Sequence, residues 1–369
     1  MKIALIIPGG VDRSGTHRII PCLLWLVERL VARGDEIHLF ALQQEPRPGH
    51  WPLLGAQVHN AGARPRRLRS LGQLWTEHRR SRFDIVHAFW AGGPGVVAAL
   101  FARLVGVPSV LTLPGGDLAA LADIGYGGRL TMRGRAWTRI ALVFASRVTV
   151  PSRSMLAAAS ALYIDAVRMP WGVAIDRWPV RPPRRRVPGN PLRLIHVANL
   201  NRVKDQETLL LAMSLLRERG VDFRLDVIGL DTLQGAVQRR CGELDLGGHV
   251  EFHGFMTHAE TRPWVEQADL LVVSSRHEAV PMVLLEAAVA GIPTVGTAVG
   301  QIADWAPQAA TSVPIGNPAA LADAIKHLDA HEDDRLRIAR AAQALAVDED
   351  AEVATDRTRR LYAELVGTR

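Results

Sequence analysis

The stretch from Ala268 to Gly300 restricts the fold of this chain more than any other. Ala268 to Val273 is an apolar run that reads as a strand. A short polar loop follows, and a helical pattern opens at Pro281, because proline is tolerated in a first helical turn, where its missing N–H would have no partner anyway. The pattern closes at Gly291 and Pro293, a C-cap glycine with a stop behind it. Thr294 to Thr297 reads as the next strand, giving the strand–loop–helix–strand unit of an α/β sheet. Glu278 then lies in the loop at the carboxyl end of the first strand. Glu286 lies on the helix, about two turns further on. A ligand at such a strand end meets free helix N–H groups that favour phosphate, and two carboxylates beside it can accept hydrogen bonds from sugar hydroxyls.

The same alternation runs through the rest of the chain. Ile3 to Pro8 reads as a strand, Gly9 to His17 as a glycine-rich loop, Ile19 to Ala32 as a helix and Ile37 to Leu42 as the next strand. This order predicts a doubly wound parallel sheet with ligands outside the strand carboxyl ends. Phe83 to Ala88 reads as a strand with His87 at its end, and Leu111 to Asp117 as a strand and loop. Residues 179–191 contain five prolines and a charge run, a composition that favours an extended, stiff linker. A second series starts at Leu192, with the strand Leu194 to Leu200, the loop Asn201 to Asp205 and a helix from Gln206. The chain length fits two domains. The expected division is 1–178, linker 179–191, and 192–350, with a final helical segment, 351–369, packing back on the first domain.

The spacing of Glu278, seven residues and Glu286, followed by Ala290-Gly291-Ile292-Pro293-Thr294-Val295 and Val299-Gly300-Gln301, resembles the retaining glycosyltransferases of family GT4, which have the two-domain GT-B fold. The resemblance implies an α/β protein of two Rossmann-like domains facing across a cleft. It implies a nucleotide-diphosphate sugar, UDP- or GDP-linked, as donor substrate, with no further cofactor. It places the transferred sugar on Glu278 and the nucleotide ribose on Glu286. The family's Gly-Arg-Leu-x-x-x-Lys-Gly loop maps onto 198–205. Lys204 matches the lysine that neutralises the diphosphate, Asn199 stands in the arginine's position, and Arg202 is the candidate replacement for that charge. Gly9 and Gly10 match the loop whose backbone approaches the diphosphate, and the helix start at Pro281, Met282 and Val283 supplies further N–H donors. Gly254 and Phe255, in Val-x-Phe-x-Gly, match residues that flank the base. On the acceptor side His87 matches an Asp-apolar-apolar-His motif. Asp117 remains from His-Gly-x-Asp, whose histidine position is Pro114 here. No protein nucleophile is evident, which suits a front-face displacement with the leaving phosphate as base. The Asp348-Glu349-Asp350 run reads as capping, so no metal site is expected.

Charge and composition narrow the partners. Residues 1–186 carry 26 Lys/Arg against 11 Asp/Glu, whereas 187–369 carry 18 against 26. A basic half beside an acidic one points to an anionic partner for the first. Between 46 and 82, Arg64, Arg66, Arg67, Arg69, Arg79, Arg80 and Arg82 surround Leu68, Leu71, Leu74 and Trp75 at helical spacing. Two readings stand: an amphipathic segment on an anionic membrane, or a solvated helix with its apolar side in the core. Aromatic residues are too sparse there for nucleic-acid stacking. Cys22 and Cys241 form no disulfide or metal-ligand pattern, which fits a reducing cytosol. The longest apolar stretch, Val96 to Leu113, carries Arg103 and Pro108 and reads as helix plus strand rather than a membrane span. The expected partners are a nucleotide sugar and an acceptor glycan, lipid-linked sugar or small sugar. The expected location is cytoplasmic, either free or peripheral at the inner membrane face. A sugar-nucleotide epimerase and a non-catalytic sugar-nucleotide-binding protein are the alternative functions.

Overall fold

The computed structural model describes residues 1–187 and 189–367; Pro188 of the expected linker and the last two positions of the expected tail lie outside them. The chain forms two compact units, Met1–Gly172 with 351–369, and Val173–Asp350.

The first unit runs β1 (Lys2–Ile7), α1 (Pro21–Ala32), β2 (Glu36–Ala41), β3 (Gly49–Leu53), β4 (Ala56–Asn60), α2 (Arg66–Arg80), β5 (Ile85–Phe89), α3 (Gly93–Val105), β6 (Ser109–Thr112), α4 (Met132–Phe144), β7 (Arg147–Val150), α5 (Arg153–Ser160) and β8 (Val167–Arg168). Its sheet has the order β3-β4-β2-β1-β5-β6-β7-β8, and all pairings are parallel except β3 with β4. All six residues of β1, Lys-Ile-Ala-Leu-Ile-Ile, are buried, as a central parallel strand covered on both faces requires. The hairpin β3–β4 falls inside the proline- and arginine-rich 46–82 segment. Val58 and Trp51 enter the core there, while Pro52 sits on the edge strand, where no ladder N–H is needed.

The second unit runs β9 (Leu192–Val197), α6 (Gln206–Glu218), β10 (Phe223–Ile228), α7 (Ala236–Glu243), β11 (Val250–Gly254), α8 (His258–Gln267), β12 (Leu270–Val273), α9 (Met282–Val289), β13 (Thr294–Thr297), α10 (Gly300–Trp305), β14 (Thr311–Val313), α11 (Pro318–Ala330) and α12 (Glu332–Asp348). Its sheet, β11-β10-β9-β12-β13-β14, is wholly parallel. Leu194, Leu225, Leu270, Val272 and Val295 from the strands meet Leu209, Met213, Leu321 and Ile325 from the helices in one core. Burying each such side chain contributes about 1.5–3 kcal/mol. Both units are therefore doubly wound parallel-sheet domains.

The last helix, α13 (Ala351–Gly367), belongs to the first unit and packs against α1. Glu352 bridges Arg29 and Arg33, Arg359 pairs with Asp35, and Tyr362 is fully buried among the core residues of that unit. The segment 179–187 lies on the second unit as an anchored strap. Arg184 donates to the carbonyls of Glu266, Gln267 and Ala268, Arg186 pairs with Asp329, and Arg185 with Asp333. Buried Arg335 closes the strap by donating to the Arg184 carbonyl. The charge imbalance accordingly follows the units, with 25 Lys/Arg against 13 Asp/Glu in the first and 19 against 24 in the second.

Candidate active site

In the second unit the strand order reverses between β9 and β12, and ligands of doubly wound sheets bind outside the strand ends at such a switch point. The loops after these two strands meet there. Lys204, from the loop after β9, places Nζ 2.5 Å from Oε1 of Glu278, in the loop after β12. Ser275 Oγ donates to the same oxygen at 2.7 Å. Backbone bonds lock the loops together: Ser274 Oγ donates to the Lys204 carbonyl and Arg276 N–H to the Val203 carbonyl. Thr297 Oγ1 holds the Ser275 carbonyl from below. Gly300 closes the arrangement. Its φ is +47°, and a Cβ there would lie 2.3 Å from the Ala279 carbonyl oxygen and 2.6 Å from that of Glu278. Only glycine lets α10 approach this loop so closely.

Beneath the loops, His196 is buried and bonded to the Val272 carbonyl through Nδ1, with Nε2 facing the Gln206 amide. Burial lowers its pKa to about 4, so it is a neutral prop for the two loops. Asp205, in the left-handed region at φ +49°, caps α6 through Thr208. Arg202 is exposed and makes no hydrogen bond or ion pair among the described residues. Asn199 accepts from the Leu230 N–H. Gly229 stands against Ala198, where a Cβ would fall 2.0 Å from the carbonyl oxygen, and so brings the ends of β9 and β10 together. Gly254 has φ +71° at the end of β11, and Phe255 is exposed beyond it.

Pro281 is the N-cap of α9 rather than its first residue, and Met282 and Val283 open the helix. Glu286, one turn in, is buried on all sides. Burial raises its pKa to about 8, so it is protonated at neutral pH. His258 Nδ1 lies 3.3 Å from Glu286 Oε1 without hydrogen-bond geometry. Burial, helped by Arg177, lowers the His258 pKa to about 4, so this is a contact between two neutral groups rather than an ion pair. The cluster Asp226, Glu251 and His253 has its ligand atoms within 4.8 Å of one another, but His253 Nε2 is already engaged by Asp226 at 2.7 Å.

In the first unit the switch point lies between β1 and β5. The Gly9-Gly10 turn follows β1, but the N–H groups of Gly10 and Val11 are taken by Gln44 Oε1, at 2.6 and 3.0 Å. Gly10 is needed because a Cβ at its φ of +90° would strike Ile20 at 2.4 Å. His87 is enclosed. Its ring nitrogens lie 2.5 Å from Tyr362 Oη and 2.6 Å from Thr112 Oγ1, it stacks on Phe89, and burial lowers its pKa to about 3. It ties β5 to α13 through Nδ1 and to β6 through Nε2, so both of its nitrogens are engaged. Asp117 is also buried. Oδ1 accepts from the Ala91 N–H, Oδ2 has no partner, and burial raises the pKa to about 6.

Two partially overlapping expectations thus separate: Lys204, Glu278 and the α9 start converge, whereas His87 is committed to packing. Sequence reasoning passed over Ser275 and Thr297, although a hydroxyl three residues before Glu278 was a usable signal.

This pair of doubly wound units, with a cation and a carboxylate meeting at the switch point of the second, has the GT-B architecture. Residues 181–345 match the family model "Glycosyl transferases group 1", and residues 19–171 match "Glycosyl transferase 4-like domain". The chain belongs to the GT4 glycosyltransferases. It is 26% identical over 327 residues to a D-inositol 3-phosphate glycosyltransferase of an Arthrobacter strain, covering 79% of this chain and 76% of that one. Its fold is similar to sucrose-phosphate synthase from Thermosynechococcus elongatus, with a TM-score of 0.85 at 18% identity over all of both chains. It is also similar to Anabaena HepE in complex with UDP-glucose, with a TM-score of 0.77 at 17% identity over 99% of this chain and 100% of that one.

Proposed function

We propose that this glycosyltransferase moves a sugar from a UDP- or GDP-linked donor to an acceptor hydroxyl with retention of configuration and without a metal ion. The observation that carries the reading is the Lys204–Glu278 pair at the switch point of the second unit. Lys204, with the unpaired Arg202, stabilises the departing diphosphate. A preorganised charge aimed where negative charge develops is usually the largest catalytic contribution. The first turn of α9 adds N–H donors to the same end. Glu278 receives hydroxyls of the transferred sugar and Glu286 those of the ribose, while Gly254 and Phe255 border the base. That HepE was crystallised with UDP-glucose supports a uridine donor. Displacement on the front face, with the leaving phosphate as base, needs no covalent protein nucleophile and uses the charges gathered around Lys204.

The test is a panel of UDP- and GDP-sugars, each with and without sugar, sugar-phosphate and lipid-linked acceptors. Diphosphate release that depends on acceptor, with the product anomer matching the donor by NMR, is the expected result. Conversion of donor alone points to an epimerase. Donor binding without release under any acceptor points to a binding protein.

The finer location rests on the outer face of the first unit. Leu68 and Trp75, one heptad apart on α2, are 71% and 43% exposed, while Leu74 faces the core. The neighbouring α3 and α4 expose Leu104, Val143 and Phe144. With Arg79 and Arg80 close by, this face suits peripheral attachment to the anionic cytoplasmic leaflet, each basic residue contributing about 1 kcal/mol near such a surface. Among the described residues no helix is long and apolar enough to cross a membrane. Co-sedimentation with anionic vesicles, lost on changing Leu68 and Trp75 to Ser, is the expected result; equal retention of that variant removes the reading.

A further inference from the structure

The first turns of α2 and α4 border an open pocket of about 640 Å³ lined by Arg64, Arg66, Arg67, Arg133 and Trp137. Arg67 and Arg133 both lie over the Trp137 ring, with guanidinium carbons 3.4 and 4.4 Å from its centroid. None of the four arginines makes a salt bridge among the described residues, and Arg67 Nε is buried with no hydrogen-bond partner. Several arginines elsewhere are paired with acids, as Arg33 with Glu352, Arg186 with Asp329 and Arg359 with Asp35. Four cations gathered without a carboxylate repel one another, and burial together with Arg133, Arg66 and Arg64 lowers the Arg67 pKa. An arrangement of this kind is relieved by an anion, and planar guanidinium forks match phosphate oxygens.

The surroundings add to this. Pro65, which precedes α2, provides no capping side chain, so the first-turn N–H groups of α2 are left for another acceptor. Arg66 donates to Gln43, just past β2, and the start of α3 at Gly93 abuts Arg67. The pocket therefore sits at the carboxyl-end side of the first sheet, where ligands of such sheets bind.

We propose that this pocket binds a phosphoryl group carried by the acceptor, as a phosphomonoester or phosphodiester, with Trp137 holding Arg67 and Arg133 in place for it. The proposal rests on the glycosyltransferase reading for the word acceptor, but the phosphate site stands on its own geometry. Its two sources are a soluble sugar phosphate and a phosphorylated lipid headgroup.

Calorimetric titration of the full chain with inorganic phosphate at low salt, UDP being titrated separately, tests it. Wild type should bind phosphate saturably, and Arg67→Ser with Arg133→Ser should weaken that binding at least tenfold while UDP affinity stays within twofold. Arg133→Ser alone, at an exposed position, guards against misfolding and should lose several-fold. Arg67→Lys, which keeps the charge but not the stacked fork, should fall between. Phosphatidylglycerol vesicles give the second arm. If the double variant loses both phosphate and vesicle binding, the source is a lipid headgroup; if it loses phosphate but keeps vesicles, the source is soluble. Wild-type phosphate affinity in the double variant, or no saturable phosphate binding by wild type, overturns the proposal. Absent UDP binding with intact phosphate binding would instead count against the donor reading.

Discussion

Lys204 Nζ and Glu278 Oε1 stand 2.5 Å apart although 74 residues separate them, because the loops that carry them follow the two strands flanking the switch point of the second sheet. The pair is partly buried, with side chains 23% and 11% exposed, so removing one partner strands the other. On the proposed reading, a donor that bridges them would replace one ion pair by two polar contacts, the lysine to diphosphate and the carboxylate to sugar.

Lys204→Ala is expected to lower turnover by roughly 10²–10³, the range for loss of one preorganised charge-stabilising group. Glu278→Gln should weaken the intact donor while leaving free nucleoside diphosphate nearly unchanged. In stability the two changes should not add. The double variant should be less destabilised than the sum of the single ones, by about 0.5–3 kcal/mol. Urea melts of all four proteins, with titrations of donor and diphosphate, check both statements. Additive losses would show that the pair does not act as a unit.

Glu286 gives a pH signature. Its folded pKa, about 8, lies above its ordinary value of 4.5 because burial disfavours the charge. The stability contributed by the neutral form is complete below about pH 4.5, and it is lost as pH rises toward 8 because the unfolded chain ionises first. Wild type should therefore lose stability relative to Glu286→Gln between pH 5 and 8, by on the order of a few kcal/mol, seen as a widening gap in Tm that then stays constant. If ribose hydroxyls donate to this carboxyl, nucleotide binding near pH 7 should also release a proton, visible as a dependence of the binding enthalpy on the buffer. A flat Tm difference across this range would mean that Glu286 is already ionised.

Much of this was legible in the sequence. From Ala268 to Gly300 each signal of strand, cap and turn agrees with the next, and both glutamates fell where the spacing put them. The first unit was harder to read. The β3–β4 hairpin hides in a proline- and arginine-rich composition, because its register depends on pairing with β2 rather than on local preference. His87 was a candidate because it matches the Asp-apolar-apolar-His motif of the resembled family. Only Tyr362, 275 residues away, shows that its ring is an internal tie. The linker arginines read only as part of a charge run in a stiff linker, and their acids lie far along the chain at Asp269, Asp329 and Asp333. Nothing local marked Arg133 and Trp137, since their meaning comes from Arg67 on another helix.

The tie between His87 and Tyr362 predicts a structural phenotype. Tyr362→Phe keeps the packing but leaves a buried ring nitrogen without its partner, at a cost of about 1–3 kcal/mol. Turnover per folded molecule and donor affinity should stay near wild type. A large drop in kcat with an unchanged melt would restore a catalytic role to this histidine.

Gly300 predicts the opposite pattern. Alanine there would force a Cβ within 2.3 Å of the Ala279 carbonyl and 2.6 Å of the Glu278 carbonyl, at a φ of +47° that disfavours side chains. Part of the strain is relieved by moving the exposed side of the loop, since Ser275 and Thr297 anchor the other side. The carboxylate of Glu278 then shifts away from Lys204, and a displacement of about 1 Å at a reacting centre can cost on the order of 10²-fold. Gly300→Ala should therefore lose far more in turnover than its fall in Tm explains, and donor affinity should fall more than diphosphate affinity. Parallel losses in stability and activity would show that Gly300 supports the fold alone.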